Sequence, residues 1–206
     1  DLRYIPGPRY IGPPLGEGCD IWGVRRRAVS VPTPYGEEHY SEVAESPLAG
    51  LDTPEEIARY AGWPSPDAFD YSVIPAQCRR VREAERVVCF MGDRLNRVAQ
   101  LKPAMYLRGI EAILLDLSLR PDPAAAVIER IRAFYTAYLD RVLEAAGGLI
   151  DIVVTGDDFG AQNGLLVSPR TWREHLRPGF EEYLRLIAHH GARSMHHTCG
   201  SVVAII

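Results

Sequence analysis

Apolar residues in the second half of this 206-residue chain fall into long blocks with helical or extended spacing, whereas proline and glycine break up the first half. Val87-Val88-Cys89-Phe90-Met91 is a continuous apolar run closed by Gly92-Asp93, the pattern of a parallel strand buried on both faces. Helix is expected over 96–108, with Pro103 interrupting it. Helix is also expected over 122–146, where Val127, Ile131, Tyr135, Tyr138, Val142 and Ala145 recur at helical spacing and Gly147-Gly148 supplies the stop. Residues 112–117 fit a short helix or a strand. A strand over 149–155 follows. Next comes a helix capped by Ser168, with Pro169 in its first turn and an apolar stripe of Trp172, Leu176, Phe180, Leu184 and Ile187. Pro178 inside that span predicts a kink or two abutting helices. Gly191 ends it, and 192–198 reads as a further strand. Strands alternating with helices and joined by right-handed crossovers make a parallel sheet.

The first half reads differently. Residues 1–18 look like loop. Extended runs over 20–31 and 39–44 flank Pro32-Thr33-Pro34-Tyr35-Gly36, a hairpin signal with its prolines confined to the connection. Thr53-Pro54-Glu55-Glu56 opens a short helix with an N-cap threonine, proline at N1 and glutamate at N3. A second helix is expected over 67–85.

Composition narrows the class. With 47% hydrophobic and 24% charged residues, the chain reads as one soluble globular domain. A net charge of −4 is too mild to imply a nucleic-acid partner. No apolar run approaches the roughly 20 residues of a membrane helix, and no signal peptide is visible. Cys19, Cys78, Cys89 and Cys199 form no C-x-x-C pair and suggest no disulfide framework, so a reducing cytoplasm is expected. Cys78 and Cys89 read as small buried hydrophobes.

The chemistry concentrates near the end of the chain. In His197-Thr198-Cys199-Gly200, residues i and i+2 of an extended segment present an imidazole and a thiol to one side, a nitrogen and sulfur pair that suits zinc. The alternative is a core histidine and a core cysteine beside a turn. His196 alternates to the opposite face and is expected to pack between sheet and helix. Asp157 and Asp158 end the 149–155 strand. Two adjacent carboxylates can bind a cation, hold a basic or hydroxyl group, shift each other's pKa, or cap the local turn. Gln162 is a candidate substrate-binding wall residue. Asp158-Phe159-Gly160 is not a kinase signature, because no glycine-rich phosphate loop or His-Arg-Asp loop accompanies it. Gly16-x-Gly18 fails as a dinucleotide fingerprint, with Ile21 at the third glycine position. Arg25-Arg26-Arg27 and Arg79-Arg80-Arg82 are short basic runs, most simply solvated faces; an arginine among them placed over the site would pair with an acidic substrate.

The order 151–162, Gly164-Leu165-Leu166-Val167-Ser168-Pro169-Arg170-Thr171-Trp172, Pro178, a long helix and His-x-Cys-Gly resembles the uroporphyrinogen decarboxylase superfamily, in particular its corrinoid-dependent methyltransferase branch. The resemblance is strongest over 147–203. It continues weakly through Leu107-Arg108-Gly109-Ile110-Glu111, Asp116-Leu117, Pro121-Asp122-Pro123 and Asp20-Ile21-Trp22-Gly23. It implies a (β/α)8 TIM barrel with the site at the C-terminal ends of its strands, and residues 1–85 as an excursion of loop, hairpin and helices over the barrel mouth. A whole barrel takes about 250 residues, so the barrel is expected to be incomplete here, lacking the first strand or two and the last two or three βα units. The chain also starts at Asp1, not methionine, so the natural N-terminus is expected to lie upstream.

In the methyltransferase branch zinc is held by the histidine and cysteine that match His197 and Cys199, and by a second cysteine further along that has no counterpart in these residues. The function implied is a zinc-dependent transfer of a methyl group between a corrinoid such as methylcobalamin and a thiol-type acceptor, with Asp157 or Asp158 orienting the acceptor. One alternative is a uroporphyrinogen decarboxylase-like carboxy-lyase of porphyrin biosynthesis acting on a tetrapyrrole, although the arginine-rich signature of that enzyme is not found here. Another is a non-catalytic module that binds a corrinoid protein. A small thiol or tetrapyrrole and a corrinoid protein are therefore the expected partners, with no nucleic acid and no membrane.

Overall fold

The computed structural model describes residues 1–91 and 97–206. Along the chain run β1 (Leu2–Tyr4), β2 (Arg9–Tyr10), β3 (Arg25–Thr33), β4 (Gly36–Glu45), α1 (Pro54–Ala58), β5 (Phe69–Asp70), α2 (Ile74–Glu83) and β6 (Val87–Phe90). Then come α3 (Leu101–Arg108), α4 (Ile110–Leu119), α5 (Pro121–Ala146), β7 (Ile152–Gly156), β8 (Gly160–Ala161), β9 (Gly164–Leu165), α6 (Pro169–Thr171), α7 (Arg177–His189) and β10 (Arg193–His197). One four-stranded sheet has the order β1-β6-β7-β10, with every neighbouring pair parallel. The three strands expected near 87–91, 149–155 and 192–198 are all in it. Among the described residues this sheet is open; it is a parallel α/β layer and not a closed barrel.

β1 corrects the reading of residues 1–18 as loop. Three residues carry too little pattern to signal a strand, and the hydrogen bonds of β1 come from β6, far along the chain. Helix α2 packs against α5 and β6. β1 and α2 thus belong to the wall of the fold, and the excursion is confined to the residues between them. The helix expected over 67–85 begins only at Ile74, because Phe69 and Asp70 are drawn into an antiparallel pair with β2. Ser65 and Asp70 also cap short 3-10 turns on either side of that pair. At Thr53 the expected capping box forms: the threonine hydroxyl accepts from Glu56 N–H while the Glu56 carboxylate accepts from Thr53 N–H.

Three prolines behave differently from expectation or refine it. Pro32 lies within β3, opposite Glu37, in an exposed two-stranded ribbon where a missing donor is tolerated. Pro103 does not break α3, because it sits in the first turn, where no N–H has an intrahelical partner. The start of the helix expected at Asn96, and the strand-closing Gly92-Asp93, lie outside the described residues. Pro178 lies at the start of α7, and the turn before it, Trp172–Leu176, is π-helical. The interruption expected near Pro178 takes the form of this wider turn, within a helical run that is continuous over 169–189. Residues 112–117 resolve as part of α4.

Helix α5 organises the core. Val127, Ile131, Tyr135, Tyr138 and Val142 are all buried, and Gly147 ends the helix in the left-handed region at φ 57°. Trp22 and Phe69 of the excursion pack onto it, with ring centroids 4.9 Å from Phe134 and 5.0 Å from Tyr138 respectively. Cys78 and Cys89 are buried, as expected. No described helix is long and apolar enough to cross a membrane.

The excursion is also tied down by a buried cation. Arg108 is 2% exposed. Its Nε donates to Asp116 Oδ2 at 2.9 Å, its Nη1 donates to the carbonyls of Leu48 and Leu51 at 2.7 and 2.6 Å, and its Nη2 donates to Asp52 at 3.1 Å. Removing one partner of a buried pair strands the other charge. Arg108→Met is therefore expected to lower unfolding stability by about 3–5 kcal/mol. Urea titration reads this directly, and a midpoint within error of the wild type would show that Asp116 is satisfied by Arg120 alone.

Candidate functional site

The parallel ladder between β7 and β10 ends at the pair Gly156 and His197, yet the two chains stay together beyond it. Asp157 N–H donates to the His197 carbonyl at 3.1 Å, Phe159 N–H to Thr198 Oγ1 at 3.1 Å, and Ser201 N–H to the Ala161 carbonyl at 2.8 Å. Gly160 and Gly200 make this possible. A Cβ on Gly200 would lie 2.2 Å from the Gly160 carbonyl carbon, and Gly200 sits at φ +84°. The glycine after the cysteine thus lets two strand ends touch backbone to backbone.

That contact brings Asp158 beside His197 and Cys199. Ligand atoms of the three residues lie within 4.8 Å of one another. Cys199 Sγ is 3.4 Å from His197 Nε2, Asp158 Oδ1 is 3.8 Å from the same nitrogen, and Cys199 N–H donates to Asp158 Oδ1 at 3.0 Å. Ligand atoms held tetrahedrally around zinc at 2.0–2.3 Å are separated by roughly 3.3–3.8 Å, so the two gaps to His197 fit such an ion, and oxygen, nitrogen and sulfur are its usual donors. The expectation that His197 and Cys199 share a side is met.

The electrostatics of the cluster are asymmetric. Burial works against a charge on Asp158, but the Lys102 ammonium and the Cys199 N–H and thiol outweigh it and hold the carboxyl below its usual range. Lys102 Nζ lies 2.5 Å from Asp158 Oδ2. The hydrogen bond from the Cys199 thiol to Asp158, and the charge of that carboxylate, push the thiol pKa up. A cation between the three residues reverses this preference, because it compensates both anions.

The structure separates the two aspartates. Asp157 is 2% exposed and points away from the cluster. Its Oδ2 accepts from Gln100 N–H at 2.7 Å and Leu101 N–H at 2.6 Å, and its Oδ1 accepts from Lys102 N–H at 2.7 Å. These are orphan donors of the first turn of α3, so Asp157 is a helix cap supplied from a distant strand, not a group facing the site. Gln162 is likewise displaced: it is exposed in the turn between β8 and β9 and does not line the cavity described next. His196 packs as expected, between Phe159 and Phe180 at centroid distances of 5.5 and 4.7 Å, and burial lowers its pKa to about 4.

A cavity of about 700 Å³ opens at the C-terminal end of β7, where Gly156 forms part of its wall. The excursion supplies Asp20, Trp22, Arg26 and Ser41; the segment through α3 supplies Arg97, Lys102 and Tyr106. Lys102 therefore links cavity and cluster. Neither Lys102 nor Arg97 carries a motif; the helix cap at Asp157, together with the Gly156 N–H donated to the Val98 carbonyl at 3.1 Å, brings that segment to the strand end. Of the basic runs, Arg26 alone reaches the cavity; Arg82 instead pairs with Asp151.

No protein-family model matches the chain, and no curated protein matches it. Among solved structures, a methyltransferase from Methanosarcina mazei superposes with a TM-score of 0.53 at 14% identity, covering 90% of this chain and 49% of that one. The chain thus shares the fold of part of that structure and spans about half its length.

The burial of Asp157 has a pH signature. Desolvation pushes its carboxyl from 3.8 up to about 6, and the three N–H donors pull it back only part way. A folded-state pKa above the unfolded one gives stability that is full below about pH 4 and lost as pH rises through about 6. The stability gap between wild type and Asp157→Asn should therefore narrow by on the order of 2 kcal/mol between about pH 4.5 and about pH 7.5. Parallel denaturant titrations test this, and a gap that stays constant or widens counts against it.

Proposed function

We propose that this chain is part of a (β/α)8-barrel methyltransferase of the uroporphyrinogen decarboxylase superfamily, moving a methyl group between a corrinoid and a thiol-type acceptor with the help of zinc. The observation that carries this reading is the convergence of Asp158, His197 and Cys199 beyond the ends of β7 and β10. Strand C-termini are where barrel enzymes place their chemistry. The likeness in fold to part of a methyltransferase agrees with it.

His197 and Cys199 would hold the ion, with Asp158 as a third donor from this chain and a further position left for the acceptor. Bound there, zinc would lower the pKa of an acceptor thiol so that it ionises near neutral pH. The chain's own groups do the rest. Lys102 and the Cys199 N–H fix the Asp158 carboxylate from two directions, so the donor set is preorganised. The adjoining cavity, with aromatic walls at Trp22 and Tyr106 and charged groups at Arg26, Arg97 and Lys102, would enclose the acceptor.

Chelator-treated protein titrated with Co²⁺, whose visible spectrum reports tetrahedral thiolate ligation, should take up about one ion per chain, as a single site requires. Cys199→Ala should weaken binding by roughly 100-fold or more, since losing even an outer partner of a ligand costs 10–100-fold. Wild-type protein that binds no ion, or a Cys199→Ala variant that binds as tightly, would favour the metal-independent decarboxylase branch instead.

A further inference from the structure

The cavity beside the cluster carries three cations whose surroundings differ. Arg26 is satisfied: Asp20 lies 3.4 Å from its Nε, and its guanidinium sits 4.6 Å over the Tyr106 ring. Lys102 is satisfied by Asp158. Arg97 has no carboxylate partner among the described residues, and its Nε is buried without a hydrogen bond. It lies across the end of β7, where a Cβ on Gly156 would come within 2.5 Å of its Cδ. Its charge bears on Lys102, working against that ammonium. Two like charges therefore share one wall, and only one of them is compensated from behind.

An unpaired, partly desolvated guanidinium is costly to hold in a cavity, and an anion that takes up its donors relieves that cost. The planar fork of arginine matches the two oxygens of a carboxylate, sulfonate or phosphate group. Beyond the cations, Asp20 is taken up by Arg26 and Ser41 is polar, while Trp22, Val24, Pro103, Tyr106 and Tyr135 give the wall its apolar part, and about 700 Å³ suits a small molecule.

We propose that Arg97 anchors an anion subsite in this cavity, with Lys102 as its second cation, and that it receives the oxyanion group of a small, otherwise apolar ligand. Because Lys102 also touches Asp158, a ligand anchored there lies alongside the Asp158, His197 and Cys199 cluster. This orientation rests on the metal-site reading above; the subsite itself does not. Arg97 is a specificity-determining residue on this account, selecting ligands by charge.

Calorimetric titration of chelator-treated, metal-free protein tests the subsite separately from the metal site. The probes are benzoate and benzenesulfonate, with neutral benzamide as the uncharged match. Benzoate, benzenesulfonate or both should bind, and benzamide should bind at least about tenfold more weakly, as loss of a charged hydrogen-bond pair implies. Arg97→Gln should weaken the anion by about tenfold or more, and Arg97→Lys, which keeps the charge but not the fork, should fall between. Lys102→Met should weaken it by a smaller factor. Unfolding curves for each variant, matched to the wild type, confirm that binding is being read in folded protein. Anions that bind no better than benzamide, or equally well to Arg97→Gln, would overturn the proposal whatever the Co²⁺ titration shows. The converse also holds: anion binding that follows Arg97 in a protein that takes no Co²⁺ upholds the subsite and removes only the metal reading.

Discussion

The Asp157 carboxylate, closed over the first turn of α3, is the contact on which the site depends. Three backbone N–H groups from Gln100, Leu101 and Lys102 converge on it from a segment with no sequence proximity to β7. A helix end buried without such a partner would leave its donors orphaned. By satisfying them, Asp157 fixes the position of α3 relative to the sheet, and the Lys102 ammonium then falls beside Asp158. The next residue along the strand end is thereby oriented toward His197 and Cys199. One aspartate sets the frame, and its neighbour lies beside His197 and Cys199.

Their environments explain why two adjacent residues of the same type ionise so differently. Asp157 is enclosed, and desolvation dominates, raising its pKa to about 6. Asp158 is half-buried, and the lysine ammonium and the cysteine N–H and thiol outweigh desolvation, lowering its pKa. The acidic pair thus supplies one buried structural carboxylate and one that is anionic, held by Lys102 and turned toward His197 and Cys199. Functional sites commonly separate paired groups in this way.

The excursion between β1 and α2 is more than decoration on the sheet. Its Trp22 packs against Phe134 of α5, and Arg108 gathers the carbonyls of Leu48 and Leu51. So anchored, the excursion closes one side of the cavity with Asp20, Trp22 and Arg26, while the end of β7 and the segment through α3 close the other. Cavity and cluster meet at Lys102, so a ligand held in one is adjacent to the other.

Local rules in the sequence determined a good deal of this protein. The apolar runs of β6 and β7, the short strand after Gly191, the capping box at Thr53, the Ser168-Pro169 helix start and the glycine stop of α5 all depend on near neighbours, and all are found. His197 and Cys199 also share a side, as their i, i+2 spacing suggests, although β10 ends at His197 and the Gly160–Gly200 contact holds Cys199 beyond it. What the sequence could not decide is whatever depends on distant partners. β1 exists because β6 offers it hydrogen bonds, and β5 because β2 does. Asp157 and Asp158 look equivalent on paper; only the arrival of the α3 N-terminus assigns one to capping and leaves the other to the cluster. Lys102 and Arg97 carry no motif at all, and their place in the cavity follows from tertiary packing, since side chains that meet across the fold leave no periodicity in the chain.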